Sequence, residues 1–469
     1  MRFVAIDLGA TFIKSALVDA GSFTISHVKR VPFSPFVMGL PVAYREVDPQ
    51  AVLRGTKEQI DRLLAIEPDC AGIVSCSQMH GLVLTDGQGN ALTNFISWMD
   101  ERALLPHPSG KGSFLDVLLS RLSSADDDGA LSREIRSGST ISILCWLAAT
   151  QSIPRNATPS SLPDFIMSRL ASTDVKCEPT MASGFGVFDA RTGAWRRDAI
   201  EQLGVGHLRW PEIVPYGKVV GQYRHGARHI PMFVSLGDQQ CALLGVLLQP
   251  GELSLNVSTG SQVSLLRDGF HGGDYEVRPF FDGMFLNTIT RLPAGRALNK
   301  LMDLLDEFGR SQGRPLKDPW AYVEQASAGT ESMDLRVDLN VFPGAHGQGG
   351  GISNIRESNL TVGQLFRAAF EHMADNYYAA AMKLDPHAAW TNVVFSGGVI
   401  ARSPLLQQLI QQKFGLRART SPTQEDTLLG LLVLSVVLSG EAKTVLEAME
   451  HVRHSASHGR EAHLAERSS

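Results

Sequence analysis

The chain has 469 residues, too many for one ordinary compact core, and this length favours two large domains. With 43 basic and 48 acidic residues, a net charge of -5 and no long block of one sign, nothing marks a surface for nucleic acid or anionic lipid; a small-molecule partner fits better. The five cysteines, Cys70, Cys76, Cys145, Cys177 and Cys241, form no C-x-x-C pair, which speaks against a disulfide framework or zinc site and for a reducing, cytoplasmic setting.

The first apolar run, Phe3 to Ile6, reaches Asp7 too soon to form the core of a signal peptide. It reads as a strand, as do Ala71 to Val74, Met232 to Ser235 and Val393 to Phe395. Helical periodicity runs through Ala51 to Leu64, Val362 to Met382 and Pro404 to Phe414. Strands alternating with helices predict an α/β chain. Between Pro106 and Asp128 the composition turns to Ser, Gly and Asp, and a loop or partly ordered insertion is expected there. Leu428 to Leu438 is the longest apolar stretch; it is too short to span a bilayer and predicts a buried core helix. Beyond Val445 there is little apolar content to bury, so residues 446–469 are expected to form a loosely ordered tail.

Two segments share one pattern of strand, polar turn and strand: Ile6 to Val18, and Leu253 to Leu265. Their repetition suggests duplicated halves, residues 1–248 and 249–445, facing one another across a cleft, with the division near Gln249-Pro-Gly251. Small residues in the turns, Gly9, Ala10, Thr259 and Gly260, allow backbone N–H groups to approach a phosphate, although turn chemistry alone also accounts for them. The chain has no G-x-x-x-x-G-K-[ST] loop and no G-x-G-x-x-G opening a helix, so a nucleotide would have to sit between these hairpins. On position alone, Asp238 serves either as the cap of the helical run that follows it or as a carboxylate at a strand end, suited to accept a hydroxyl proton.

Asp7-Leu-Gly-Ala-Thr-Phe-Ile-Lys14 resembles the first phosphate motif of the FGGY carbohydrate kinases, which belong to the actin and hexokinase fold superfamily. The resemblance continues in order. Ser77-Gln-Met-His-Gly81 is similar to the sugar-contacting segment, Trp98-Met-Asp-Glu-Arg102 to a W-x-D-x-R segment, and Leu236-Gly-Asp-Gln-Gln240 to the catalytic-aspartate motif. Asn256-Val-Ser-Thr-Gly260 resembles the second phosphate motif and Phe395-Ser-Gly-Gly-Val-Ile-Ala-Arg402 the adenosine motif, so the match runs from residue 7 to about residue 430. It implies an α/β fold of two ribonuclease H-like (actin/hexokinase-type) domains facing a central cleft, and ATP-dependent phosphorylation of a sugar with Mg²⁺.

Carried over residue by residue, the resemblance implies Asp238 as the base, with Gln78, Met79, His80, Trp98, Asp100 and Gln239 around the sugar. It implies ATP contacts at Asp7, Gly9, Thr11, Lys14, Thr259, Gly260, Gly295, Asn299, Gly398 and Arg402, and Mg²⁺ held near Asp7 and Asp238 through water. Arg102 is left either to contact substrate or to pair with Asp100. Ala10 and Phe12 stand where relatives often carry hydroxyl residues, and Glu425-Asp-Thr-Leu-Leu-Gly430 replaces an Ala-rich helix start, which suggests altered packing beside the adenine. The glycine cluster Gly344 to Gly351 is expected to be a flexible loop edging the cleft. Within the family, Asn256 to Gly260 with Val277-Arg-Pro-Phe-Phe281 is most similar to kinases of a seven-carbon ketose; five-carbon ketoses compete, and a non-catalytic sugar or nucleotide sensor is the rival of another class. A homodimer is compatible with either.

Overall fold

The computed structural model describes residues 1–122, 133–342 and 349–466, the stretch 456–466 as backbone alone. The strands that position the site are Arg2–Leu8 (β1), Phe12–Asp19 (β2), Thr24–Pro32 (β3), Gly72–Ser77 (β4), Val219–His225 (β5), Arg228–Phe233 (β6) and Leu236–Gly237 (β7), then Glu252–Val257 (β8), Ser261–Asp268 (β9), Glu276–Pro279 (β10), Met284–Leu292 (β11), Asn392–Ser396 (β12) and Ala418–Thr420 (β13). The helices include Pro49–Ile66 (α1), Phe114–Leu122 (α2), Asp238–Gly245 (α3), Gly295–Ser311 (α4), Pro319–Ala328 (α5), Val362–Leu384 (α6), Pro404–Phe414 (α7), Asp426–Leu438 (α8) and Val445–Glu466 (α9).

The first sheet has the order β5-β6-β4-β1-β2-β3, with β7 also pairing to β4, and the second has the order β10-β11-β9-β8-β12-β13. In each, a leading strand forms an antiparallel hairpin with its successor and lies parallel to a later strand on its other side: β1 with β2 and β4, β8 with β9 and β12. Residues Phe3 to Leu8 are buried without alternation, as expected of a central strand covered on both faces. The edge strand β3 instead exposes Lys29 and Arg30, charges that discourage further strand pairing.

Local signals set several helix starts. Asp48 accepts the Gln50 N–H at 2.8 Å ahead of Pro49 in the first turn of α1, and Thr361 caps α6 by accepting from Gln364 N. The three long helices expected from periodicity match α1, α6 and α7 closely. In the stretch expected as a loop after Pro106, residues 114–122 form α2, because Phe114, Leu118 and Leu122 recur every fourth residue and are buried together; residues 123–128 lie outside the described residues. Of the glycine cluster, 344–348 also lie outside them.

The end of the chain departs from a strictly sequential division. Helix α8, buried on nearly every side, packs on β1, β2 and β4 of the first sheet as well as on α3, and it shares a core with Phe3, Ala5, Ala16 and Val18. Its uniformly apolar sequence reflects that position between layers. The tail expected to be loose begins instead as α9, whose Val445, Ala448, Met449 and Val452 enter the same core. Four apolar residues at helical spacing suffice to dock those turns even in a polar sequence. Among the described residues no helix is long and apolar enough to cross a membrane.

Helices α3 and α8 touch backbone to backbone. A Cβ on Gly245 would lie 1.7 Å from the Asp426 carbonyl oxygen, and one on Gly430 would lie 1.9 Å from that of Cys241. Neither neighbour is a movable side chain, so a larger residue must separate the helices. Gly430→Val is expected to cost about 1–3 kcal/mol or more, in line with other overpacked cores. Urea denaturation of the variant against the parent checks this; an unchanged midpoint would mean that the contact is not needed.

Candidate active site

Three strand ends assemble the centre of the site. Asp7 on β1 lies in register with Cys76 on β4, and Cys76 is in turn in register with Leu236 on β7, so Asp7 and Asp238 emerge at the carboxyl edge of two parallel strands that flank β4. Gly237 fixes the approach: its N–H donates to Thr180 Oγ1 at 2.9 Å, and a Cβ there would lie 3.1 Å from the Met79 sulfur. Gly237, not Asp238, takes the cap position of α3, and Asp238 is its first helical residue. Burial pushes the Asp238 carboxyl up to about 7 and the nearby Asp7 adds to this, against the Gln239 backbone N–H, Arg278 and Lys14.

Asp7 is buried and only half satisfied. Its Oδ2 accepts the Thr427 hydroxyl at 2.6 Å and faces the Lys14 ammonium at 3.1 Å, while Oδ1 has no hydrogen-bond partner. Such an orphaned anionic oxygen suits a water of a hydrated Mg²⁺, whose preference is for carboxylates, phosphates and retained waters. Lys14 also lies 3.6 Å from Glu425 and 3.4 Å from the Thr427 hydroxyl. Burial works against its charge, yet Asp7 and Glu425 hold its pKa above the ordinary lysine value. The start of α8 therefore bears on the first hairpin, with Glu425 bonded to Arg30 as well.

The segment after β4 lines the same centre. Gln78 donates its backbone N–H to Leu8 O at 3.1 Å and leaves its buried Nε2 without a partner. His80 has a left-handed backbone, φ 64°, and its Nδ1 lies 2.8 Å from the Gly184 carbonyl. Since a carbonyl only accepts, Nδ1 carries the proton and Nε2 is left as an acceptor. Burial, then Arg278, lower the His80 pKa to about 4, so the ring is neutral at physiological pH. Trp98 is 45% exposed and reaches a cavity of ≈ 480 Å³ that Thr259, Gly260 and Gln262 line from the other half.

Asp100 does not join them. It is fully buried, its carboxylate held by Arg102 at 2.7 and 2.9 Å and by the Arg45 N–H at 2.7 Å, and Arg102 lies over the Tyr44 ring. With its acceptors saturated by a neighbouring guanidinium, Asp100 holds the Trp98 loop together and has none left for a sugar, which corrects the expected contact. Gln239 is engaged too: Nε2 donates to Gln262 at 3.1 Å across the cleft, and Oε1 accepts from Arg278.

The hairpins meet the site from two sides. In the first, Gly9 N donates to Phe12 O at 3.1 Å, leaving Ala10 and Thr11 exposed at the tip. In the second, the carbonyls of Ser258 and Thr259 accept the N–H groups of Gly295 and Arg296 at 3.0 and 2.8 Å, tying the turn to the start of α4. Gly397, φ 97°, passes so close that a Cβ would lie 2.5 Å from the Ser258 hydroxyl. These contacts gather Thr259, Gly295, Asn299, Gly398 and Arg402 around one cavity of ≈ 570 Å³.

Sequence reasoning missed Trp320 and Glu324 on the same cavity, and Arg278 beside Asp238. Asp318-Pro319 signals a capped helix, but nothing in the sequence says that this helix faces the second hairpin. Arg278 lay within a segment compared for its overall likeness, without its own role.

The N-terminal domain model of the FGGY family of carbohydrate kinases matches residues 2–245. Sedoheptulokinase of Mus musculus is 23% identical over 460 residues, spanning 88% of this chain and 92% of the relative. Xylulose kinase of Staphylococcus xylosus is 26% identical over 229 residues, spanning 47% and 44%. Among solved structures, gluconate kinase from Lactobacillus acidophilus superposes with a TM-score of 0.80 at 19% identity over 96% of this chain and 91% of its own. Glycerol kinase from Plasmodium falciparum, solved with ADP, has a TM-score of 0.79 at 16% identity over 96% and 92%. These structures share the two-domain fold.

Because the Asp238 carboxyl titrates near 7 against an ordinary 3.8, the folded chain holds this proton more tightly than the unfolded one. Its contribution to stability is complete below the unfolded value and is lost as pH rises through the folded one. Asp238→Asn is therefore expected to melt above the parent at pH 8, with the gap closing as pH falls toward 4. A melting difference that does not vary with pH would show that this carboxylate carries no such strain.

Proposed function

The chain belongs to the FGGY family of carbohydrate kinases, and from that premise we propose that it transfers the γ-phosphoryl group of ATP to a ketose, with sedoheptulose giving sedoheptulose 7-phosphate as the first choice. The relatives that align along most of the chain carry the name sedoheptulokinase, which supports the seven-carbon sugar. Xylulose kinases match over about half of it, and a pentulose such as xylulose or ribulose is the alternative. The observation that carries the reading is the pair Asp7 and Asp238 at one edge of the first sheet, together with the cavity that the second hairpin shares with Gly295, Asn299 and Gly398.

In this reading adenosine occupies that cavity, against Gly398 and Arg402, and the phosphates run along Thr259, Gly260 and the tip of the first hairpin with Gly9 and Thr11. The sugar lies among Gln78, Met79, His80 and Trp98. Gln78 Nε2 donates and His80 Nε2 accepts from its hydroxyls, while Met79 and the Trp98 face cover its carbon chain. Asp238 receives the proton of the terminal hydroxyl as its oxygen bonds to the γ-phosphorus and the bond to the ADP oxygen breaks. When bound, Mg²⁺ would neutralise phosphate charge, held through water by Asp7 Oδ1 and Asp238. Lys14 holds Asp7 in place and adds positive charge at the phosphate end. Cleft closure around the sugar would exclude water as the competing acceptor.

The test is coupled measurement of ADP release with Mg·ATP against sedoheptulose, xylulose, ribulose, arabinitol and glycerol. One ketose is expected to stimulate release strongly, and Asp238→Ala to lower that rate by about 10²–10⁴-fold, the usual worth of a positioned base. If no sugar stimulates release, the kinase reading fails and a sensor on this fold takes its place. Full activity in Asp238→Ala would remove Asp238 from the chemistry.

A further inference from the structure

Arg278 on β10 joins the two halves of the molecule beside the candidate base. It donates to Gln239, the neighbour of Asp238, pairs with Glu276 at 2.8 Å, and lies 3.4 Å from Glu134 of the first half. Glu276 in turn accepts from Arg136 at 2.6 Å and from Thr290 at 2.9 Å. Two residues of this cluster keep buried atoms without hydrogen bonds, Arg278 at Nε and Glu134 at both carboxylate oxygens. Both carboxylate oxygens of Glu134 are shut off from solvent, yet apart from the longer Arg278 pair neither has a hydrogen-bond partner.

A buried carboxylate without hydrogen bonds is costly and calls for a reason. Position supplies one. Asp238 senses Asp7 and Lys14 together with Arg278, whereas the main electrostatic partners of Arg278 are Glu134, Glu276 and Asp238. Arg278 bonds the residue that follows Asp238, so Glu134 lies one guanidinium beyond the neighbour of the candidate base. His80 feels Arg278, Glu276 and Arg136, so the sugar segment borders the same cluster. Past Glu134 opens a cavity of ≈ 570 Å³ shared by Phe188, Phe270 and Tyr275.

We infer that Glu134, held against Arg278, is a specificity-determining residue: it accepts hydroxyls at the end of the ketose remote from the transferred phosphoryl group, and so favours chains longer than five carbons. Unlike the carboxylate of Asp100, its oxygens are not already committed to strong hydrogen bonds. The inference rests on the ketose-kinase reading, but it concerns binding and can be measured without turnover.

The experiment compares the full-length parent with Glu134→Leu and Glu134→Gln, whose folding is checked by melting. Calorimetric titration with sedoheptulose and with xylulose gives the affinity ratio, and ADP release gives the ratio of kcat/KM. Glu134→Leu is expected to lower the preference for the longer sugar by about tenfold or more, the size set by losing a buried hydrogen-bond partner, and Glu134→Gln to recover part of it. Equal losses for both sugars, or unchanged ratios in Glu134→Leu, would overturn the assignment. A parent that binds ketoses with the expected selectivity but transfers no phosphoryl group would overturn the kinase reading and leave Glu134 in its role. A parent that binds neither sugar would overturn both.

Discussion

The contact of α3 with α8 through Gly245 and Gly430 is the constraint on which the rest of the molecule depends. Helix α3 begins at Asp238, and α8 begins beside Asp7 and Lys14, so the distance between these helices sets the distance between the two halves of the site. A helix pair separated by ordinary side chains would sit 8–10 Å apart, and glycine at both crossing points removes the side chains that impose such spacing. The helices also carry the shared core: Leu243 and Leu244 on one, Leu428, Leu431 and Leu432 on the other, packed with Phe3 and Ala16 from the first sheet.

That closeness gathers charges that would otherwise repel. Asp7 and Asp238 lie near enough for one to raise the pKa of the other, and burial adds to the cost. Lys14 and Arg278 offset it from opposite sides, the first at the hairpin and the second from β10. Asp7 Oδ1, Gln78 Nε2 and the Glu134 carboxylate oxygens are buried polar atoms without hydrogen bonds in this region.

Much of the site was legible because its chemistry lies in contiguous stretches. The strand, turn and strand around Gly9 and around Thr259, and the strand end before Asp238, are local patterns, since turns and strand ends are set by the residues within them. The errors arose where distance along the chain misled. Asp100 reads like a sugar contact until Arg102 and the Arg45 backbone take its oxygens. The start of α8 reaches the first hairpin, a contact no local pattern announces, because Thr427 bonds a residue near the opposite terminus.

The sequence by itself determined the repeated hairpins, much of the strand and helix order, the order of the segments that line the candidate site, and the core position of the helix from Leu428. All of these follow from local periodicity, turn chemistry or motif spacing. Only the tertiary structure decided that α8 and α9 return to the first sheet, that Asp100 is committed to Arg102, and that Arg278 stands between Asp238 and Glu134. The physical reason is common to the three. Each depends on which groups satisfy one another's charge or cover one another's surface, and those partners lie in segments whose meeting no local pattern encodes.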